Sequence, residues 1–147
     1  MYVPTADNCV GRSLVEYGEW SQSEITLLQQ LIKPGMVVLD IGANLGYHTL
    51  AFSRFVGPQG RVISFEAQPE IFQLLAANIA NNNCSNVTAL NIAVGATAGI
   101  IDCPLINYDL TNNFGAASFS ALVQSTGTPT RFTPIVVQNL DSIGMTQ

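Results

Sequence analysis

The chain has 147 residues, 48% of them apolar and 10% charged, and five Lys plus Arg against ten Asp plus Glu leave a net charge of −5. That length supports one domain with its own core, and the apolar share excludes a disordered chain. The acidic balance argues against a partner held by phosphate neutralisation, so nucleic acid is not expected.

No run approaches the ~18 apolar residues of a membrane span. Residues 1–7 carry neither the basic start nor the apolar run of a secretory leader. A cytoplasmic protein without membrane association is therefore the expectation. Cys9, Cys84 and Cys103 are odd in number and outside any CxxC, so neither a disulfide framework nor a zinc site is expected. His48 is the only histidine, and no metal is expected.

In chain order, residues 1–35 form a lead-in and a first helix. Ser21 followed by Glu24 is a capping-box pattern ahead of Ile25, Leu28 and Ile32, and Lys33-Pro34-Gly35 ends the helix. Residues 36–41 are a continuous apolar run closing on Asp40 and Ile41, which reads as a strand buried on both faces of a parallel sheet. The Gly42-Ala43-Asn44-Leu45-Gly46 turn leads into a helix with Tyr47, Leu50, Ala51 and Phe55 at helical spacing. Residues 61–66 form a second strand ending in Glu66, Pro69 opens a further helix, and residues 87–94 form a third strand. Strand starts at 36, 61 and 87 give the cadence of βαβ units, with 36–94 as a cofactor-binding βαβαβ segment. Residues 95–147 are β-rich, with strands expected over 99–106, 117–123 and 132–139 and a polar loop over 107–115.

Asp40, Gly42, Asn44, Gly46 and Glu66 carry the chemistry. Asp40 and Glu66 fall at the carboxyl ends of neighbouring strands, the edge where open α/β sheets bind ligands. A carboxylate ending the second strand can accept both hydroxyls of a ribose. A dinucleotide site requires G-x-G-x-x-G with pyrophosphate on a helix N-terminus. Here Asp40 stands beside the turn, which is unfavourable for pyrophosphate and suited to an ammonium group. S-adenosylmethionine is thereby favoured over NAD.

The ordered set of residues 38–46, then Phe65-Glu66-Ala67-Gln68-Pro69, then Asn91-Ile92-Ala93-Val94-Gly95, resembles the FkbM-type S-adenosylmethionine-dependent methyltransferases. Tyr17-Gly18-Glu19-Trp20 resembles their lead-in and Leu140-Asp141-Ser142 a late motif, so the likeness runs from about residue 10 to residue 143. It implies a Rossmann-like class I methyltransferase fold, an α/β three-layer sandwich. Here that means the N-terminal half, parallel strands with helices, followed by additional β strands. The resemblance further implies methyl transfer to an oxygen of a sugar or other small-molecule acceptor. By the same analogy Gly42, Ala43, Asn44 and Gly46 shape the methionine-side turn, Asp40 faces the amino group and Glu66 holds the ribose. Ala67 and Gln68 flank the adenosine, and Asn91 and Ala93 border the adenine. No catalytic base is assigned; His48, near the start of the helix after the turn, is the candidate. Trp20, with Tyr17 and Glu19, is a candidate lid or a staple on the sheet.

In the FkbM family the Leu-Asp-Ser motif is followed by a further strand, and the sequence given ends at Gln147. The resemblance therefore implies an incomplete domain whose acceptor side lies largely elsewhere. Two alternatives follow. One is a non-catalytic cofactor-binding or assembly module whose first-strand edge is covered by a second copy or a partner chain; the other is an NAD-binding oxidoreductase fragment.

Overall fold

The computed structural model describes residues 1–105, 111, 113, 114 and 131–142. Helices α1 (Val10–Glu16) and α2 (Gln22–Leu31) precede strand β1 (Val37–Ile41). Helix α3 (Tyr47–Val56), strand β2 (Arg61–Phe65), helix α4 (Pro69–Asn81) and strand β3 (Val87–Leu90) follow. These three strands form a parallel sheet in the order β1-β2-β3, the Rossmann-like α/β arrangement expected.

Val38, Val62 and Val87 share one row of the ladder. They pack with Phe52 and Val56 of α3 and with Leu28 and Ile32 around α2. Side chains alternate faces along a strand, so Asp40 and its register partner Ser64 lie on the same face, beneath α3. The carboxylate that ends β1 is thereby built into the sheet's helical cover.

The third strand is shorter than its apolar pattern predicts. Asn91 Nδ2 donates to the carbonyls of Glu66 (2.8 Å) and Ala67 (3.2 Å), tying down the strand end. Strand β4 (Ala93–Val94) then joins a second sheet with β5 (Gly99–Pro104) and β6 (Phe132–Gln138), in the order β4-β6-β5. β5 and β6 are antiparallel and β4 and β6 parallel. Ala93, Cys103, Ile135 and Val137 form its buried cluster, with Ala67 against it. The expected strand at 117–123 lies outside the described residues, as does most of the loop at 107–115.

Four further expectations change. β1 is not buried on both faces: among the described residues it pairs only with β2, and Val37 and Ile41 are exposed. The Ser21 cap does not form, because Ser21 adopts a left-handed conformation (φ 52°) with no side-chain capping bond, which leaves Glu24 free for other contacts. Tyr17 is 74% exposed and packs on no core cluster among the described residues, whereas Trp20 packs on the cluster of Val10, Leu45, Ile71 and Phe114. Finally, α1 is an added helix. Buried Asp7 fastens its start by accepting from the backbone N–H of Cys9 and Gly11, both at 3.0 Å.

Candidate cofactor site

The glycine turn is held by the sheet rather than by its own side chains. Gly42, Asn44 and Gly46 all have positive φ (79°, 49° and 89°). A β-carbon at Gly42 would enter open space, but at Gly46 it would come within 2.7 Å of Leu75 Cδ1. Gly46 thus serves close packing against α4, and Gly42 keeps the cavity side of the turn clear.

The turn's backbone N–H groups point inward. Gly42 N and Ala43 N both donate to Phe65 O at 2.9 Å, and Gly46 N donates to Ala43 O. Asn44 N donates to Glu66 Oε2 at 2.9 Å. A ligand at this turn therefore meets few free donors and several acceptors. Asn44 Oδ1 is buried with no hydrogen-bond partner among the described residues. Asp40 accepts from Thr49 Oγ1, which also contacts Ser64 Oγ at 3.0 Å.

Asp40, Gly42, Ala43, Asn44 and His48 line one open cavity of about 330 Å³, with Cys9, Val10, Trp20, Tyr47 and Asn113 on its other walls. Burial holds the Asp40 carboxyl above its ordinary pKa, opposed by the Thr49 hydrogen bond and by His48. Glu66 is shifted the same way by burial, opposed by the backbone N–H groups of Gln68 and Asn44.

The other predicted residues lie behind this cavity rather than on its wall. Glu66 is 6% exposed, and its second oxygen accepts from Gln68 N at 2.8 Å. Ala67 and Ala93 are packed in the second sheet's cluster, and Asn91 holds the end of β2. Gln68 Nε2 donates to Phe114 O at 3.1 Å, which ties the loop after β2 to the buried Phe114. Gly46 supports the turn from beneath.

Sequence reasoning missed Thr49 and Ser64, the hydroxyl pair beneath Asp40. A hydroxyl in the first turn of the helix after the glycines was the available signal. Cys9, Val10 and Asn113 carried no local signal, because only the tertiary fold brings them to the cavity. The buried Cys103 thiol is pushed up to about 11, first by desolvation and then by Glu70 and Glu66, which leaves it unreactive.

Among curated proteins, the chain is 44% identical over 55 residues to a protein-L-isoaspartate O-methyltransferase 1 of Arabidopsis thaliana, covering 37% of this chain and 24% of that protein. It is 34% identical over 59 residues to the protein-L-isoaspartate O-methyltransferase of Methanothrix thermoacetophila, covering 40% and 28%. A solved protein-L-isoaspartate O-methyltransferase superposes with a TM-score of 0.46 at 30% identity, over 49% of this chain and 23% of that one. The chain thus spans about a quarter of the length of the curated relatives it matches. The two curated likenesses are to methyltransferases; the narrower FkbM assignment is not shown by them. Residues 21–100 match the family described as protein-L-isoaspartate(D-aspartate) O-methyltransferase (PCMT). That stretch runs from the start of α2 into β5, and the chain belongs to the PCMT family of methyltransferases.

Proposed function

We propose that this chain binds S-adenosylmethionine in the cavity above the glycine turn and serves methyl transfer to an oxygen of an acceptor. The observation that carries the reading is the turn's polarity. With the N–H groups of Gly42, Ala43, Asn44 and Gly46 committed to Phe65, Glu66 and Ala43, the turn offers a poor cradle for a pyrophosphate. It instead places the Asp40 carboxylate on the cavity wall beside Asn44, and a carboxylate there suits the ammonium of an amino-acid end. The same polarity speaks against the NAD reading.

In this account Asp40 holds the donor's amino group, and Asn44 shapes the turn beside it. Glu66 does not line this cavity; its proposed part is to accept the ribose hydroxyls at the turn's edge with the lone pair each oxygen retains beyond its backbone bond. When bound, the donor's sulfonium supplies an electrophilic methyl carbon. The chain's own contribution is to fix that group's orientation and exclude water through the wall formed by Trp20, Val10 and Leu45.

Two acceptor readings each have support. The curated relatives are named for protein L-isoaspartate, whose methylated oxygen belongs to a carboxyl group. The FkbM-like motifs, including Leu140-Asp141-Ser142 beyond the matched residues 21–100, support a hydroxyl of a sugar or other small molecule. Thermal unfolding with each cofactor tests the donor reading. S-adenosylhomocysteine at a hundredfold excess over its dissociation constant stabilises by about 2.7 kcal/mol, whereas NAD leaves the midpoint unchanged. Stabilisation by NAD alone would overturn the reading.

A further inference from the structure

Two hydroxyls reach Asp40 from behind the cavity. Thr49, in the first turn of α3, donates from Oγ1 to Asp40 Oδ2. Ser64, the register partner of Asp40 on β2, stands 3.0 Å from the same Thr49 oxygen. Thr49 and Ser64 are fully buried, and neither belongs to the cavity wall on which Asp40, Gly42, Ala43 and Asn44 stand. A ligand in the cavity therefore meets Asp40 and not the pair that holds it.

Counting protons gives the pair a direction. A hydroxyl carries one, and Thr49 points its own at the carboxylate, so at the 3.0 Å contact Ser64 donates and Thr49 accepts. The result is a chain from Ser64 to Thr49 to Asp40 in which each bond polarises the next. Such a chain favours the ionised carboxylate and opposes the burial that raises the Asp40 pKa. His48 acts in the same sense as the chain, and Glu66, the neighbouring acid at the end of β2, acts against it. A carboxylate anchored through one oxygen is also limited in rotation, and a fixed acceptor binds an ammonium at lower entropic cost than a mobile one.

We infer that Thr49, supported by Ser64, is a positioning residue of the cofactor site: it holds the Asp40 carboxylate in place for the ammonium of the donor's amino-acid end, and so sets the preference for ligands that carry that end. The inference rests on the donor reading above. A hydroxyl pair that only filled the space beneath the sheet's helical cover would, on removal, weaken every ligand of the cavity alike. A positioning pair weakens those that bring an ammonium to Asp40 and spares those that do not.

The test uses the 147-residue chain and calorimetry with two ligands: S-adenosylhomocysteine, and methylthioadenosine, an adenosine thioether that lacks the amino-acid end. Thr49→Val keeps the shape and removes the hydroxyl. It is expected to weaken S-adenosylhomocysteine roughly fivefold or more and to leave the affinity for methylthioadenosine, read by competition, unchanged. Binding of S-adenosylhomocysteine falls at low pH as Asp40 takes up a proton, and in Thr49→Val that fall moves to higher pH, because a bond favouring the ionised form is gone. Thr49→Ser retains the hydroxyl and is expected to restore both properties. Added to Asp40→Asn, Thr49→Val causes no further loss, since its effect passes through Asp40. Unchanged S-adenosylhomocysteine affinity in Thr49→Val overturns the inference, as does equal weakening of both ligands or full additivity with Asp40→Asn. Ser64→Ala leaves the Thr49 bond in place and is expected to weaken S-adenosylhomocysteine alone, by a smaller factor. It carries the comparison if Thr49→Val does not fold, and unchanged or equally weakened affinities there overturn the inference likewise. Failure of the wild-type chain to bind S-adenosylhomocysteine, or its equal affinity for the two ligands, contradicts the donor reading instead.

Discussion

Asp40 and Glu66, the two carboxylates proposed for the site, are costly to the fold. Burial raises both above their ordinary values, so the folded chain holds protons that the unfolded chain releases. Between the unfolded and folded values stability therefore falls as pH rises, beginning near the ordinary carboxylate range of about pH 4. Asp40→Asn keeps an acceptor for Thr49 and removes the buried charge. It is expected to flatten that fall in urea titrations at several pH values while weakening S-adenosylhomocysteine binding. A steeper pH dependence in the variant would contradict the assignment. Glu66→Ala is expected to weaken S-adenosylhomocysteine by roughly 1.5–3 kcal/mol if a charged hydrogen bond to the ribose is lost. It also destabilises the chain, because Asn44 N and Gln68 N lose their acceptor. The acids at the two strand ends were legible in the sequence because each closes an apolar run. The hydroxyls beneath Asp40 were not, because Thr49 and Ser64 meet it only once α3 lies over the sheet.

The glycine turn and its helix depend on packing that spacing alone does not reveal. Gly42 and Gly46 read alike in sequence, yet only Gly46 faces a side chain, with buried Leu75 2.7 Å from where a β-carbon would stand. Gly46→Ala is expected to cost about 1–3 kcal/mol from overpacking, added to the left-handed strain of roughly 1–2 kcal/mol that Gly42→Ala shares. Denaturant midpoints with unchanged m-values check the order. Phe114 is the corresponding element-scale anchor for the segment after β5. It is 1% exposed among Val10, Leu45 and Ile71, and Phe114→Ala is expected to cost about 3–5 kcal/mol. Nothing in the local pattern distinguished Phe114 from the polar residues around it, whereas the β1–α3–β2–α4 alternation was plain from periodicity. The third strand misled because its apolar run continues through Ile92. The break comes from Asn91, whose amide caps β2's carbonyl end.

For the whole molecule, one acidic chain joins a parallel three-stranded sheet to a second three-stranded sheet, and segments distant in sequence line the cavity over the glycine turn. Buried Asn78 is part of that closure. Its Nδ2 donates to Leu45 O at 2.9 Å and Tyr2 O at 3.0 Å, tying the N-terminal segment and the turn to α4. Residues 36–66 sufficed to indicate a cofactor-binding α/β fold, because strand cadence and the acidic strand ends are local properties. The wall contributed by Cys9, Trp20 and Asn113 was only partly legible, since it exists through long-range packing. The central claim is that the cavity above the glycine turn takes the donor's amino-acid end. Calorimetric titration of the folded chain with S-adenosylhomocysteine tests it most directly. The account predicts one site per chain whose affinity falls in Asp40→Asn, and a flat trace from a folded sample, or binding indifferent to Asp40, would contradict it.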